Sequence, residues 1–450
     1  MSSTESIIQR DTDALAGIAQ RLLDDARRAG ASDASVQLSE SNTMHVAVRN
    51  QLPTARVFQQ HAGITLTFHD GLRRATASSN DMSAHGLTRV VKAARDLARI
   101  TAADPCGEAT EPAYFAVPRD LDLYHPWTLS GQDALELGCR IEAAAFEIDP
   151  AIKSEGATVG SSTGRFMLAT SRGFMGTYPW SSHGVSCSAL AVRDGKKQID
   201  GWGSGARVPA QLDAVESVGR RAAEKALARL DARQITTRQC AVLFDPPAAL
   251  GLLEFFVSAA SGQALFNQAS FLNGALGQLL FAEHIDIIED PFLKAGNGSI
   301  PFDADAISGR RRYVVEGGRL DGYFLSLYAA RRLGLEPTGN QTGPANLEVR
   351  SQGTAVNDDF HGMLAKLGTG LLVCGTSGQG VNLLTGDFSR AAHGFWVERG
   401  QIAFAVDAIT VAANLKQMFA GIDAIGCDTL TRGAFSSGSW LISNMMIGGI

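Results

Sequence analysis

The stretch Ser377-Gly-Gln-Gly-Val-Asn-Leu-Leu-Thr-Gly-Asp-Phe-Ser-Arg390 places three glycines between an apolar strand pattern at residues 370–374 and a hairpin pattern at residues 395–404. Because glycine reaches left-handed backbone angles without a steric penalty, the glycines predict tight turns in this segment. Asp387 is predicted to fix the loop by accepting hydrogen bonds from backbone N–H groups. The stretch therefore predicts a strand–loop–strand unit, and it lies in a half of the chain that is mostly strand-like.

Outward from this stretch, the chain alternates between helical and strand patterns. Apolar residues at helical spacing predict four helices in the first half, at residues 11–29, 83–100, 131–147 and 210–232. Leu97 is predicted to lie on the buried stripe of the second helix. Residues 155–205 have the pattern of a glycine-rich antiparallel meander.

The second half opens with a short strand at residues 240–244 and a helix at residues 245–262, which Asp245 is predicted to cap. Glycine-containing dipeptides between strand patterns predict hairpins that turn at Gly317-Gly318 and at Arg399-Gly400. Strands that are grouped with helices, without strict alternation, favour the α+β class over a doubly wound sheet.

The length of the chain predicts more than one domain, because 450 residues exceed what a single core usually encloses. We place the boundary between residues 232 and 237. The prediction is an N-terminal α/β domain with antiparallel strands at residues 1–235 and a β-rich C-terminal domain at residues 236–450.

Composition narrows the classes of function. The formal net charge is −6, so the composition gives no indication of a basic surface that would bind nucleic acid or anionic lipid. No apolar run approaches the ~20 residues of a membrane span, and the N-terminus lacks a secretory signal. Six scattered cysteines without a CxxC pair are typical of reduced thiols. The expected location is the cytoplasm.

The sequence offers no zinc-binding helix. None of its nine histidines forms a pair at the spacing that brings two imidazoles to one face of a helix, and H-E-x-x-H is absent. A nucleophile elbow is not supported either, because Gly375-Thr376-Ser377-Gly378 is not G-x-S-x-G. Cys374 with His361 or His393 is a conceivable thiol–imidazole pair, although Cys374 ends an apolar strand pattern and His393 precedes a hairpin, which are ordinary positions.

Several segments together resemble the TldD/PmbA family, and specifically its TldE/PmbA branch. They are Pro301-Phe-Asp303 with the arginines 310–312, Tyr328 to Leu335, Thr338-Gly-Asn340, and above all Gly378-Gln-Gly-Val-Asn-Leu-Leu-Thr-Gly-Asp-Phe-Ser-Arg390. The resemblance implies an N-terminal α/β portion and a β-rich C-terminal domain. It also implies a partner, a TldD-like zinc-bearing subunit, and substrates that are unfolded or small, modified peptides.

The resemblance also assigns site residues. In the catalytic branch the helix at residues 245–262 resembles His-Glu-x-x-x-His, and here Leu253 and Ser258 stand in for the two histidines. Glu254 stands at the position of the general base, but without a metal-bound water it has nothing to activate. No metal or other cofactor is expected in this chain, and zinc is expected in the partner subunit.

The residues of the signature loop are the candidates for substrate binding, with fold maintenance as the equal alternative. They are Gly378, Gly380, Asn382, Thr385, Gly386 and Asp387. Two other functions stay open at this point. One is a self-sufficient peptidase or hydrolase with an unrecognised site, and the other is a homodimeric peptide-binding scaffold without catalysis.

Overall fold

The first half of the protein is built on one antiparallel sheet. The structure, a computed structural model, describes residues 11–449. The strands of this sheet are β1 (Asp33–Arg49), β2 (Leu52–Asp70), β3 (Arg73–Ser79), β4 (Ile152–Thr170), β5 (Met175–Arg193) and β6 (Lys196–Ala206). They pair in the order β3-β2-β1-β4-β5-β6, so β3 and β6 form the two outer edges. Long strands β4 to β6 confirm the predicted meander.

Helices cover one face of this sheet. They are α1 (Thr12–Arg28), α2 (Ala84–Ile100), α3 (Gly131–Phe146) and α4 (Val215–Ala228). Alternate residues of β1 supply the buried side: Val36 packs with α1 and α2, and Val46 packs with α3 and α4. The opposite face carries Ser, Thr and Gln side chains, together with glycines. Only part of it is covered, where Phe302 of the second half contacts the rings of Phe174 and Tyr178 at 5.0 and 5.3 Å.

Two details of the helix predictions are wrong. The fourth helix was expected over residues 210–232, but it begins only at Val215 and ends at Ala228, because a separate 3₁₀ turn occupies Pro209–Gln211. Leu97 was expected to be buried, yet 45% of it is exposed. The last turn of α2 directs Ala98, which is fully buried, toward the core instead.

The second half contains two further sheets. One has the order β10-β9-β8-β11-β18-β17 and is formed by β8 (Ile285–Glu289), β9 (Arg312–Glu316), β10 (Arg319–Leu320), β11 (Leu347–Ser351), β17 (Leu430–Arg432) and β18 (Phe435–Ser437). The other comprises β7 (Arg238–Phe244), β12 (Gly370–Ser377), β13 (Val381–Asn382), β14 (Asp387–Glu398), β15 (Gln401–Asn414), β16 (Ile422–Ile425) and β19 (Trp440–Gly448).

The third sheet closes on itself. Its pairing follows the order β12-β7-β19-β15-β14, and β14 pairs again with β12. Short helices fill the space around it: α5 (Pro246–Ala259), α6 (Gly262–Phe266), α7 (Leu327–Leu333), α8 (Phe360–Leu367) and α9 (Leu415–Ala420). Phe256 of α5 packs edge-on against Phe281 and Phe419 at the centre of the largest apolar core. The α+β class and the β-rich second half are confirmed.

Within residues 11–449, no helix combines the length and the apolar character that crossing a bilayer requires.

Candidate functional site

The signature loop is held by turns that its glycines make possible. Gly378 has φ +88° and Gly386 has φ +83°, both in the left-handed region that side chains disfavour. Between them the Oδ1 of Asn382 accepts the N–H of Leu384 at 3.0 Å, and the carbonyl of Asn382 accepts the N–H of Gly386 at 2.8 Å. The predicted tight turns are therefore present.

Gly380 allows two segments of the loop to approach one another closely. The N–H of Ser389 donates to the carbonyl of Gly380 at 2.6 Å. A Cβ at residue 380 would lie 1.7 Å from the carbonyl oxygen of Ser389, far inside van der Waals contact. Any side chain at this position would therefore separate the turn from β14.

Asp387 fixes the loop by different bonds from those predicted. Its carboxylate accepts from the hydroxyl of Thr385 at 2.7 Å and from the side-chain amide of Asn414 at 3.2 Å, and not from backbone N–H groups. The loop N–H groups of Leu384 and Gly386 are already used by Asn382. The hydrogen bond from Thr385, followed by the one from Asn414, lowers the pKa of the Asp387 carboxyl.

The structure thus brings all six candidate loop residues together. Within residues 11–449 they contact only the loop itself and the segments next to it. These contacts are consistent with the alternative that the residues maintain the fold. Leu384 points outward with 57% of its surface exposed, so this side chain lies on the surface of the protein. A direct role in substrate binding stays a prediction.

Helix α5 is the helix for which the family resemblance predicts correspondence to the metal-binding helix of the catalytic branch. Asp245 caps it by accepting the N–H of Ala248 at 2.9 Å, as predicted. Leu253 is fully buried in the apolar core, whereas Glu254 and Ser258 are exposed. A leucine and a serine supply no imidazole, so these residues do not fit a catalytic zinc, which needs about three protein ligands.

Helix α5 and the signature loop are direct neighbours. The ring of Phe255 lies 6.1 Å from that of Phe388, and the guanidinium of Arg390 lies 5.4 Å above Phe255. The N–H of Phe271 donates to the carbonyl of Leu383 at 2.7 Å. The exposed Glu254 therefore belongs to a helix that packs against the loop, and these two elements form the candidate site.

Two histidines outside the candidate site form hydrogen bonds that hold neighbouring segments together. The ring of His183 contacts the carbonyl of His125 at 2.8 Å and the hydroxyl of Ser161 at 3.0 Å, and burial lowers its pKa. The ring of His284 lies between the hydroxyl of Ser351 and the carbonyl of Ile422. No group of three or more His, Cys, Asp or Glu side chains suited to a metal ion is found in residues 11–449.

A buried polar cluster lies where α4 and β6 meet the closed sheet. Burial raises the pKa of Asp245 to about 7, and burial followed by the charge of Asp245 raises the pKa of the Cys374 thiol well above its usual value. His393 lies 3.9 Å from the carboxylate of Asp200. A protonated thiol is a weak nucleophile, so the thiol–imidazole pair considered from the sequence lacks its thiolate.

Sequence reasoning missed a second buried network, although it had singled out three of its members. Glu289, which is 2% exposed, accepts from the guanidinium of Arg312 at 2.8 Å and from the amide of Asn340 at 2.7 Å. The hydroxyl of Thr338 bonds the Oδ1 of Asn340 at 2.6 Å. The arginine cluster and the Thr-Gly-Asn segment thus meet at one carboxylate, which no local pattern pointed to.

Comparisons with known proteins agree with the motifs. The PmbA/TldA metallopeptidase central domain matches residues 124–230, and the C-terminal domain of the same family matches residues 237–449. The metalloprotease PmbA of Escherichia coli O157:H7 is 35% identical over 423 residues, which cover 93% of each chain. A PmbA homolog of Haemophilus influenzae is 32% identical over 426 residues, or 94% of each chain.

Solved structures share the fold. A proposed modulator of DNA gyrase from Bacteroides thetaiotaomicron superposes with a TM-score of 0.91 at 24% identity, covering 98% of this chain and all of that one. TldE from Thermococcus kodakarensis superposes with a TM-score of 0.84 at 17% identity, covering 96% of this chain and all of that one. On the family domains and the full-length relatives together, the chain belongs to the PmbA/TldD metallopeptidase family.

Proposed function

We propose that this chain is the zinc-free, TldE/PmbA-like subunit of a heteromeric metallopeptidase in the cytoplasm. Its partner would be a TldD-like chain that carries the zinc ion and both histidine ligands. The substrates would be unfolded polypeptides or small, modified peptides. In this assembly the chain contributes surface and not a metal.

The observation that carries the proposal is the burial of Leu253. A hydrolytic zinc site exposes its ligands to a cleft in which a water molecule completes the coordination. Here the position of the first histidine ligand faces the apolar core, and the second position holds Ser258. Glu254 remains on the surface, but a lone carboxylate does not replace the metal as the activator of water.

Similarity to proteins of both kinds supports the pairing. The Escherichia coli relative is called a metalloprotease, and the Thermococcus kodakarensis structure is a TldE. This chain is similar in sequence to a metalloprotease, yet α5 carries no histidine ligands. Both facts are explained if the chain is one part of a two-chain enzyme. The signature loop, which its internal hydrogen bonds hold in place beside α5, offers such a partner or substrate an ordered surface to bind.

The test uses the full chain, alone and mixed with a TldD-like protein. Zinc is measured by elemental analysis, and cleavage is followed on an unfolded protein and on short peptides. We expect less than one zinc per chain and no cleavage for the chain alone, and cleavage for the mixture. Stoichiometric zinc with cleavage by the chain alone would instead support the self-sufficient enzyme, and no association would support the scaffold.

Glu254→Gln supplies a control inside the mixture. Because Glu254 is exposed and α5 carries no histidine that could hold a metal beside it, the variant should leave the cleavage rate of the mixture within about twofold of the original, as exposed surface changes usually do. Loss of cleavage by several orders of magnitude would show that Glu254 is a general base after all.

A further inference from the structure

A groove of about 680 Å³ lies between the two halves of the molecule, where the outermost strand of the first sheet faces the outermost strand of the second. One wall is β6, the last strand of the first sheet, and the other is β17, the last strand of the second. Trp202, Gly203, Thr431 and Arg432 are among the residues that line it. Within the described residues β6 and β17 each pair with a strand on one side only, so each has an outer edge at which a further strand could pair, and residues of β8 and β11 complete the second wall.

The hydrogen bonds of β6 show which backbone groups point into the groove. The carbonyl of Ile199 accepts from Arg229 at 3.0 Å, the N–H of Gly201 donates to the Asp200 carboxylate at 2.8 Å, and the carbonyl of Gly205 accepts from Asn297 at 3.4 Å. Alternate residues of an antiparallel strand direct both N–H and C=O to the same side. The odd-numbered residues of β6 thus face outward.

Of the two outward residues of β6 that line the groove, Gly203 and Gly205, Gly203 has both backbone groups available. Apart from the ladder with β5, neither its N–H nor its carbonyl makes a hydrogen bond to any residue between 11 and 449. It carries no side chain to keep a second strand away. A peptide in extended conformation therefore finds a donor and an acceptor at the middle of the groove.

The charge of the groove favours an anionic group at one point. Arg432 is exposed and stacks on the ring of Trp202 at 4.9 Å, a ring that Arg221 and Lys225 also approach at 5.0 and 5.7 Å. The ammonium of Lys225 lies 3.4 Å from the carboxylate of Asp200, and the guanidinium of Arg221 lies 3.8 Å from that of Asp213. Arg432 alone of the three has no carboxylate within ion-pair distance in the part of the chain that the structure describes.

We propose that this groove binds a peptide that adds as a strand to the outer edge of β6, with a carboxylate of the peptide paired to Arg432. The occupant is an extended segment with a free C-terminus or an acidic residue. The inference rests on the proposed function in that the peptide belongs to the substrate class of the enzyme. It gives the zinc-free chain a role of its own, which is to hold the substrate.

The experiment measures binding of fluorescently labelled peptides to the isolated full chain by anisotropy. The probe is a ten-residue, threonine- and valine-rich peptide with a free C-terminus. Two matched probes are the same peptide with a C-terminal amide and the same peptide with alternate backbone nitrogens methylated. We expect the amide and the methylated peptide each to bind about tenfold more weakly, or worse, because each loses bonds of the proposed complex.

Protein variants assign the loss to Arg432. Arg432→Gln should weaken binding of the free-acid peptide about tenfold and leave binding of the amide unchanged, because only the former presents the carboxylate. Arg89→Gln, an exposed arginine on α2, is the matched control and should bind both peptides like the original chain. Hydrogen exchange at Gly203 should slow when the free-acid peptide is bound.

Three results would overturn the inference: no binding of the free-acid peptide by the original chain, equal binding of the methylated peptide, or an Arg432→Gln variant that binds like the Arg89→Gln control. These results are distinct from failure of the proposed function, because no partner and no cleavage enter the measurement. A mixture that cleaves peptides while the isolated chain binds none would refute the groove and retain the zinc-free subunit.

Discussion

Removing the guanidinium of Arg312 should destabilise the second half of the protein severely. Arg312 and Glu289 form a buried ion pair in which their side chains are 10% and 3% exposed. The guanidinium donates to Glu289 at 2.8 Å and to the carbonyl of Tyr323 at 2.8 Å. Glu289 also accepts from the N–H of Ala345 at 2.9 Å. Arg312→Met would leave this carboxylate with neutral donors only.

The magnitude follows from the burial. Breaking a buried ion pair from one side costs about 3–5 kcal/mol, because the remaining charge keeps its desolvation penalty without a counter-charge. Arg311→Met is the matched control: its guanidinium is 56% exposed and lies 3.5 Å from Asp290. Loss of such a surface pair costs about 0–1 kcal/mol. Neighbouring arginines should therefore differ by about 2–5 kcal/mol in the free energy of unfolding.

Urea unfolding, followed by circular dichroism and tryptophan fluorescence, measures this difference from the midpoints of the transition that reports the second half. The double variant Arg312→Met/Glu289→Gln removes both charges, so its loss should be smaller than the sum of the two single losses. The reasoning would be refuted if Arg312→Met lost no more stability than Arg311→Met, or if the two single losses added without coupling.

Three further predictions concern the loop, a buried carboxyl and the thiols. Gly386→Ala should cost about 1–2 kcal/mol in thermal unfolding because φ is +83° there, whereas Gly251→Ala, in open space on α5, should be neutral or stabilising by up to about 1 kcal/mol. The pKa of Asp245 is raised to about 7, so the folded state holds a proton that the unfolded state releases near pH 4, and this group lowers stability as the pH rises from about 4 to 7. Asp245→Asn keeps a capping side chain and should flatten the dependence of the urea midpoint on pH over that window, whereas an unchanged slope would contradict the assignment. The exposed Cys427 should react first with a disulfide reagent, so Cys427→Ser should abolish the fast phase. The less exposed Cys374, whose thiol pKa is raised by burial, should react in a slower phase.

Features that depend on neighbouring residues could be predicted from the sequence. Asp245 caps α5 because an aspartate before two prolines is a local signal. The hairpin at Gly317-Gly318 follows from two residues that have φ +52° and +75° in the structure. In both cases the chain within a few residues supplies the whole explanation.

Features that depend on distant segments could not be predicted. The third sheet closes because β12 pairs with both β7 and β14, and the parallel β7–β12 contact joins segments more than a hundred residues apart. Asp387 accepts one of its hydrogen bonds from Asn414, across the β14–β15 pair, in addition to the one from Thr385 of its own loop. Leu97 was placed by helical spacing alone, which does not reveal where the sheet beneath the helix ends.

Under the proposed function, the contacts explain how a chain can belong to the family without the catalytic site. Arg312, Thr338 and Asn340 carry part of the resemblance, and in the structure they satisfy one another and Glu289. Residues of this kind stabilise the fold, so their presence indicates the fold and not the chemistry. The chemistry of the catalytic branch depends instead on two positions of one helix, and a leucine that is fully buried at the first of them contributes about 1.5–3 kcal/mol of apolar burial. An imidazole without a metal would have to be desolvated there without a compensating partner. If a partner chain supplies the zinc, as proposed, folding alone favours leucine at residue 253.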